Sequence, residues 1–513
     1  MKSHGDKCIP TLRDNRPVVR TPKSVWILAS LVFAASLILA SSFGPHRDEL
    51  YFIACARRLA WGYVDQPPLV PAIYRLGLLM GQPVLLPRWI AAAMAASLPL
   101  VIFRMTIELD GNRNAGIISS TAIAVTPFLF GSSYFMGPTT VDIFVWSVAT
   151  LIFIKILHTD DHRLWLRLGG VVGLGLLNKH TILYFVASMG AGLLIAGRAH
   201  LRTWWPWAGL ATAIVIWAPN LVWQSSNGWP TLEMIGSLRR VNGGLVSGIL
   251  FLPSLFVISG PVTSILAIGG AAWLLRSKRA AYYRSFGWMC LATMIAVPLS
   301  GGRPYYAAPI VIPALGAGAR WFDEHQWRVR RVVPLIVIAG VLPLIPLANS
   351  LISAEVEESR SWAPMAAAVE DVRHALPEAE RDVAIVLASD RGQAAAIERF
   401  AKGSPVFSGH NNFWEWGPPP GVIGVTVAVG FRHPNNQLQP YLGDCSLTDV
   451  FRSKHRDTPI YLCRGSGDWR RIWPRFRHYD TSRWVSAKGL CSVAEVLERS
   501  LGRGGTFCFG TKG

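Results

Sequence analysis

The chain has 513 residues, 51% of them apolar and only 16% charged, with 21 tryptophans. That balance excludes an ordinary soluble protein, because apolar runs of roughly 17 to 25 residues recur from Ser24 to about Ser350, each able to cross a hydrocarbon core of about 30 Å. The net charge of +19 could suit nucleic acid, but much of it sits in short loops between apolar runs. There it reports topology, which argues against nucleic acid as a partner.

In chain order the runs place spans near 24–43, 86–107, 115–134, 140–157, 164–178, 181–197, 204–221, 248–274, 285–300, 306–322 and 333–351. The reading is a polytopic α-helical membrane protein of about eleven transmembrane helices. Lys2, Lys7, Arg13, Arg16, Arg20 and Lys23 precede the first run and hold residues 1–23 in the cytoplasm. A cleaved signal peptide fits less well, since the first run is too long and lacks a small-x-small site. The even-numbered connections carry Arg104 with Arg113, Arg163 with Arg167, Arg198 with Arg202, then Arg276, Lys278, Arg279 and Arg284, and finally Arg328, Arg330 and Arg331. All five then face the cytoplasm. The odd count sends the tail outside, giving a membrane domain over 24–351 and a periplasmic soluble domain over 352–513 of a bacterial inner membrane protein.

From Ala354 the texture changes to frequent charges and short apolar runs. DVAIVLA, VIGVTVAVG and TPIYLCRG read as strands and AAAIERFA as a helix, an α/β or α+β domain. Cys445, Cys463, Cys491 and Cys508 lie there, an even set suited to two disulfides. Three connectivities are open, with 445–463 and 491–508 favoured, and four free thiols is the alternative. Trp414 and Trp416, beside three prolines, either stack on a sugar or pack a loop.

The first outward loop, from Gly44 to about Pro87, is far longer than a plain connection. From Asp48 to Ala60 it lacks Gly and Pro, and its apolar positions suit a helix lying in the interface, with Arg57 and Arg58 reaching toward headgroups. Asp48 and Glu49 open that helix, where the dipole favours negative charge. Asp65 follows in a turn stiffened by Pro67 and Pro68. Carboxylates here suit general-base chemistry on a hydroxyl; helix-start charges and turn capping are the structural alternatives.

Asp142 lies at the outer start of the fourth span, where an intramembrane carboxylate costs roughly 2.5–3.5 kcal/mol and demands a partner or a function. Lys179 interrupts an apolar stretch between the fifth and sixth spans, against the positive-inside trend. Arg239, Arg240 and Arg303 are further cations on the same expected face. Together they suit an anionic headgroup such as a phosphate, or ordinary anionic lipid. No P-loop, GxSxG, HExxH or Cys/His zinc spacing competes. The stretch LGGVVGLGLL reads as close helix packing.

Five ordered segments carry a family resemblance: HRDELYF with GYVDQPPLV, TTVDIFVW, LGLLNKHTILYF, APNLVWQSSNGWPTLEMI and GGRPYYAAPIVIPALGAGA, with HNNFWEWGPPPG in the tail. In these the chain resembles bacterial members of the dolichyl-phosphate-mannose–protein mannosyltransferase superfamily, including the aminoarabinose lipid A transferases. These are membrane glycosyltransferases of the GT-C fold. The resemblance implies an inverting enzyme that takes sugar from a polyprenyl-phosphate donor to a glycolipid, glycan or protein acceptor. It implies that Asp48 is the base with Glu49 beside it, and that Asp65, Gln66 and Asp142 position donor or acceptor. Lys179, Arg239 or Arg240, and Arg303 would hold phosphate, with Tyr51, Tyr305 and Tyr306 as an aromatic pocket. Where the aminoarabinose enzymes place Lys before the double proline, this chain has Gln66, so another cation must carry the phosphate. Some GT-C enzymes use a divalent metal, but no ligand cluster in this sequence requires one. A transporter or flippase of an anionic lipid, which should show internal repeats, and a non-catalytic lipid-binding scaffold are the rival readings.

Overall fold

The computed structural model describes residues 19–159, 161–242, 245–324, 329–342, 353–454 and 457–479. The N-terminal cations up to Arg16, the expected Cys491–Cys508 pair and the far end of the last expected span lie outside them.

Single-turn helices aside, the helical part runs α1 (Lys23–Ser42), α2 (Arg47–Arg57), α3 (Leu69–Leu79), α4 (Leu85–Glu108), α5 (Arg113–Ala124), α6 (Pro127–Ser133), α7 (Pro138–His158), α8 (Leu164–Leu176) and α9 (Ile182–Ala196). It continues through α10 (Trp205–Ser226), α11 (Pro230–Asn242), α12 (Leu245–Ser259), α13 (Pro261–Arg276), α14 (Arg284–Leu299), α15 (Ala308–Glu324) and α16 (Val329–Val341). Among the described residues α1, α4, α7 and α10 are each long and apolar enough to span a membrane. α5 and α6 add a bent pair, their axes 55° apart at the Pro127 break. Several other apolar helices, α8, α9 and α13 among them, are shorter, so the structure shows an apolar helical bundle without fixing a count of eleven.

Two expected elements change. The run 248–274 is not one helix: Gly260 takes φ +80°, Pro261 starts the next helix, and α12 ends at Ser259. A left-handed glycine followed by proline removes both the helical backbone and a donor. The helix at the start of the first loop does not lie in an interface either. Every residue of α2 from Glu49 to Ala56 is buried, packed between α3 of the bundle and the Arg391–Phe400 helix of the tail domain. Close helix packing does hold for LGGVVGLGLL, where a Cβ on Gly169 would collide with the Gly209 carbonyl as α8 runs along α10.

Beyond α17 (Ser353–His374) comes a five-stranded mixed sheet: β1 (Ile385–Ala388), β2 (Val406–Ser408), β3 (Val425–Val429), β4 (Asp444–Arg452) and β5 (Asp457–Arg464), in the order β2-β1-β3-β5-β4. β1 pairs in parallel with β2 and β3, while β5 joins β3 and β4 antiparallel. β1 and β3 are buried along their whole length, as central strands require. Cys445 on β4 and Cys463 on β5 are disulfide-bonded directly across the ladder. Helices α18 (Arg391–Phe400) and α19 (Trp469–Phe476) complete the domain. α18 packs against α2, so the first loop is sandwiched between the helical bundle and the sheet domain.

Candidate functional site

α2 places its two acidic residues in different environments. His46 caps the helix: its Nδ1 accepts from the Asp48 amide at 3.0 Å, and its own amide donates to Glu49 Oε2 at 2.9 Å. Glu49, 0% exposed, is then claimed by Arg88 from the first turn of α4. Arg88 donates from Nε to Oε1 at 2.9 Å and from Nη2 to Oε2, and spends its remaining donors on the Ala40, Phe43 and Gly44 carbonyls. The pair welds the end of α1 to α4. A carboxylate with both oxygens bonded to one guanidinium is a structural clamp, so the geometry gives Glu49 no opening toward a substrate.

Asp48 is held differently. Its Oδ1 accepts from Arg391 Nη2 at 3.0 Å, and Arg47 Nε lies 3.7 Å away. Oδ2 has no hydrogen-bond partner among the described residues, and the side chain keeps 26% exposure. Burial opposes ionisation, but Arg391, His46 and Arg47 together outweigh it and hold the carboxyl down to about 2. Asp48 is therefore an anion at any ordinary pH, anchored at one oxygen and open at the other.

The turn after α2 is pinned from three sides. Tyr51 donates its hydroxyl to Asp65 Oδ1 at 3.0 Å, and Asn411 Nδ2 donates to Asp65 Oδ2 at 2.9 Å. Asn412 Oδ1 accepts the Val64 amide at 2.7 Å. From the bundle, Asn220 Nδ2 donates to the Trp61 carbonyl at 2.8 Å and Thr231 Oγ1 to the Val64 carbonyl at 3.0 Å. Burial raises the Asp65 carboxyl above the ordinary range despite the donors around it. Gln66, 3% exposed, has neither amide atom hydrogen-bonded among the described residues.

A cavity of about 340 Å³ opens beside this turn, lined by Asp65, Lys179, Arg239, Arg303 and Tyr306, with His180, Thr231 and Asn242. Lys179 comes from the α8–α9 turn, Arg239 from α11, and Arg303 from the turn between α14 and α15. Lys179 Nζ sits 4.9 Å and 4.7 Å from the ring centres of Tyr305 and Tyr306, a cation–π arrangement, and donates to Thr139 Oγ1 at 3.4 Å. Arg240 instead donates to Ser237, and Gln66 lies in the protein between the lining residues Asp65 and Pro67.

Asp142, 1% exposed, is also absent from the lining. It accepts from Trp146 Nε1 at 3.1 Å and from Thr181 Oγ1 at 2.7 Å. Its partners are thus its own helix and the turn that carries Lys179.

Among the described residues no group of three His, Cys, Asp or Glu side chains is placed to hold a metal ion. Trp414 and Trp473 exchange indole N–H bonds with each other's carbonyls at 3.0 and 3.1 Å, and Arg58 covers Trp416 at 4.4 Å. Both candidate sugar-stacking rings are thus engaged with protein. Arg57 and Arg58 reach Glu398 of α18 at 3.0 and 2.9 Å rather than headgroups.

Sequence reasoning missed Arg88, Asn220, Arg391, Asn411 and Asn412. Arg88 and Asn220 had a signal, each being a polar group inside an apolar run. Arg391 had none, since it opens an ordinary amphipathic helix more than three hundred residues from its partner.

Residues 65–223 match the family model described as dolichyl-phosphate-mannose-protein mannosyltransferase. That stretch includes Asp65, Asp142 and Lys179 but not Asp48. Lipid A galacturonosyltransferase RgtD of Rhizobium johnstonii is 23% identical over 314 residues, which cover 59% of this chain and 65% of that protein. The alignment thus spans just under two thirds of the relative. Two crystal structures of ArnT from Cupriavidus metallidurans share the fold. The form bound to undecaprenyl phosphate has a TM-score of 0.56 at 16% identity, covering 85% of this chain and 97% of that one. The apo form has a TM-score of 0.58 at 15% identity, covering 85% and 98%. The chain resembles the GT-C membrane glycosyltransferases in both sequence and fold.

Proposed function

We propose that this chain is an inverting glycosyltransferase that moves a sugar from a polyprenyl-phosphate donor onto an acceptor hydroxyl at the outer face of the cytoplasmic membrane. The observation that carries the reading is the cavity in which Lys179, Arg239 and Arg303 converge beside Asp65. Three cations from three separated segments, with no carboxylate at ion-pair distance from Lys179 or Arg239 among the described residues, form a receptor for an anion. A donor confined to the bilayer presents its phosphate at headgroup depth. The leaving group is that phosphate, so the bond to the sugar breaks with charge growing toward the cations, and charge stabilisation there lowers the barrier.

A separate apolar hollow suits the prenyl chain. It measures about 490 Å³ and is lined by Leu252, Phe256, Ile268, Met294 and Ile310. Met294 and Ile310 lie on α14 and α15, the two helices whose joining turn carries Arg303.

The acceptor hydroxyl needs a proton acceptor. Asp48 supplies one, with Oδ1 tied to Arg391 and Oδ2 open. Attack from the Asp48 side, with phosphate leaving toward the cations, is a single displacement and inverts the anomeric centre. Asp65, which lines the cavity and accepts from Tyr51, orients the sugar, while Glu49 and Asp142 serve the frame. The names of the relatives make a lipid A-type glycolipid the first acceptor to assay. A flippase would need the same cations but no ionised, half-open carboxylate. The test is transfer of radiolabelled sugar from undecaprenyl-phosphate sugars to lipid A by purified protein in lipid nanodiscs. Label on the acceptor, lost in Lys179→Ala, supports the reading. Donor movement across proteoliposomes without transfer would replace it by the flippase.

A further inference from the structure

The carboxylates of the proposed site are held from outside the membrane domain. Asp390 caps α18 by accepting from the Gly392 and Gln393 amides at 2.8 and 3.0 Å, which fixes Arg391 as the first helical residue. The Arg391 amide donates to His410 Nδ1 at 3.2 Å. Its guanidinium, in a side chain only 11% exposed, lies 5.1 Å from the Tyr51 ring centre and donates to Asp48 Oδ1. Tyr51 in turn donates to Asp65. One arginine of the sheet domain therefore lies beside both the first carboxylate and the tyrosine that holds the second.

Asn411 adds the other contact. It has φ +49°, a half of backbone space that favours glycine, yet it is 2% exposed and its Nδ2 reaches Asp65 Oδ2 at 2.9 Å. Strain of this kind persists where the surroundings over-determine it, typically at a functional site. Docking of the two domains does not explain these contacts. At the opposite end of α2, Arg57 and Arg58 bind Glu398, and Arg58 stacks on Trp416.

We propose that Arg391 and Asn411 are positioning residues of the transfer reaction, through which the C-terminal domain sets the orientation of Asp48 and Asp65. The proposal rests on the transferase reading and gives the domain a direct part in the chemistry. Arg391 ties down one oxygen of Asp48 so that the other faces the acceptor, and its charge keeps that carboxylate ionised. Asn411 and Tyr51 fix Asp65 from opposite sides.

The test is the pH profile of transfer by full-length protein in nanodiscs, comparing wild type with Arg391→Gln, Arg391→Lys, Asn411→Ala and Glu398→Gln. In Arg391→Gln the acid limb should move up by about one pH unit or more, as expected when a carboxylate loses an adjacent arginine. kcat should fall far more than KM rises, Arg391→Lys should bring the limb back, and Asn411→Ala should lower kcat. Glu398→Gln, which weakens docking only, should leave the limb in place. A wild-type profile in Arg391→Gln, or the same shift in Glu398→Gln, overturns the proposal. Infrared titration of the carboxyl band that disappears in Asp48→Asn needs no turnover. Should wild type transfer no sugar, a higher titration point for that band in Arg391→Gln still supports the positioning role, while the transferase reading alone falls. An unmoved band overturns the proposal.

Discussion

Two carboxylate–guanidinium pairs begin on adjacent residues of one helix, and they are built to opposite ends. Glu49 and Arg88 are sealed in the bundle, side chains 0% and 7% exposed, with both carboxylate oxygens occupied. Asp48 and Arg391 meet across the boundary with the sheet domain, with one carboxylate oxygen occupied and the other open. The first pair is a fastening, and the second leaves an oxygen open for the base role proposed for Asp48.

Breaking each pair should give different failures. Asp48→Asn should lower transfer by roughly 10²- to 10⁴-fold, the range for a positioned general base, with folded protein recovered at wild-type yield. Arg88→Ala should instead cost about 3–5 kcal/mol, because it leaves Glu49 as an unpaired buried charge. Loss of folded protein on size-exclusion chromatography in detergent would record it. If Arg88→Ala folds normally and only activity suffers, the comparison is reversed.

A smaller effect sharpens the donor side. Lys179→Ala and Arg303→Ala should each lower kcat/KM for donor by on the order of 10- to 100-fold, the scale of one charge-assisted contact of about 1.5–3 kcal/mol. Asp142→Asn should produce a weaker version of the Lys179 defect, since Asp142 acts through Thr181. Binding of undecaprenyl phosphate measures all three. The smallest effect belongs to Glu398→Gln, which loosens partly exposed pairs worth about 0–1 kcal/mol and should leave turnover unchanged.

Acid should act on the second pair. Asp48 is held at about 2 against an ordinary 3.8, so the pairing stabilises the folded state above pH 4. That contribution is lost as the pH falls toward 2. Acid unfolding of Arg391→Gln should accordingly begin at a higher pH than that of wild type.

Much of the cation-lined cavity was legible in the sequence. Lys179 and Arg303 stand out because a cation in or beside an apolar run has no cheap reason to be there, and Asp65 because a carboxylate precedes a rigid double proline. All three line the cavity. The break at Gly260-Pro261 was also written in the chain, yet its apolar flanks read as one span. The base side was half legible: Asp48 was visible as a helix-start charge, but its difference from Glu49 was not. Only tertiary contact distributes Arg88 to one residue and Arg391 to the other. Gln66 shows the limit of transfer by motif, because the residue at the position of a phosphate-binding lysine is buried away from the cavity lining.

The most direct measurement is a paired one on Asp48→Asn in nanodiscs: undecaprenyl phosphate binding, and single-turnover transfer from an undecaprenyl-phosphate sugar that wild type turns over. Binding should match wild type, because the cavity lined by Lys179, Arg239 and Arg303 does not include Asp48, while transfer should be lost. Wild-type transfer in this variant, or lost binding with transfer intact at saturating donor, would contradict this expectation.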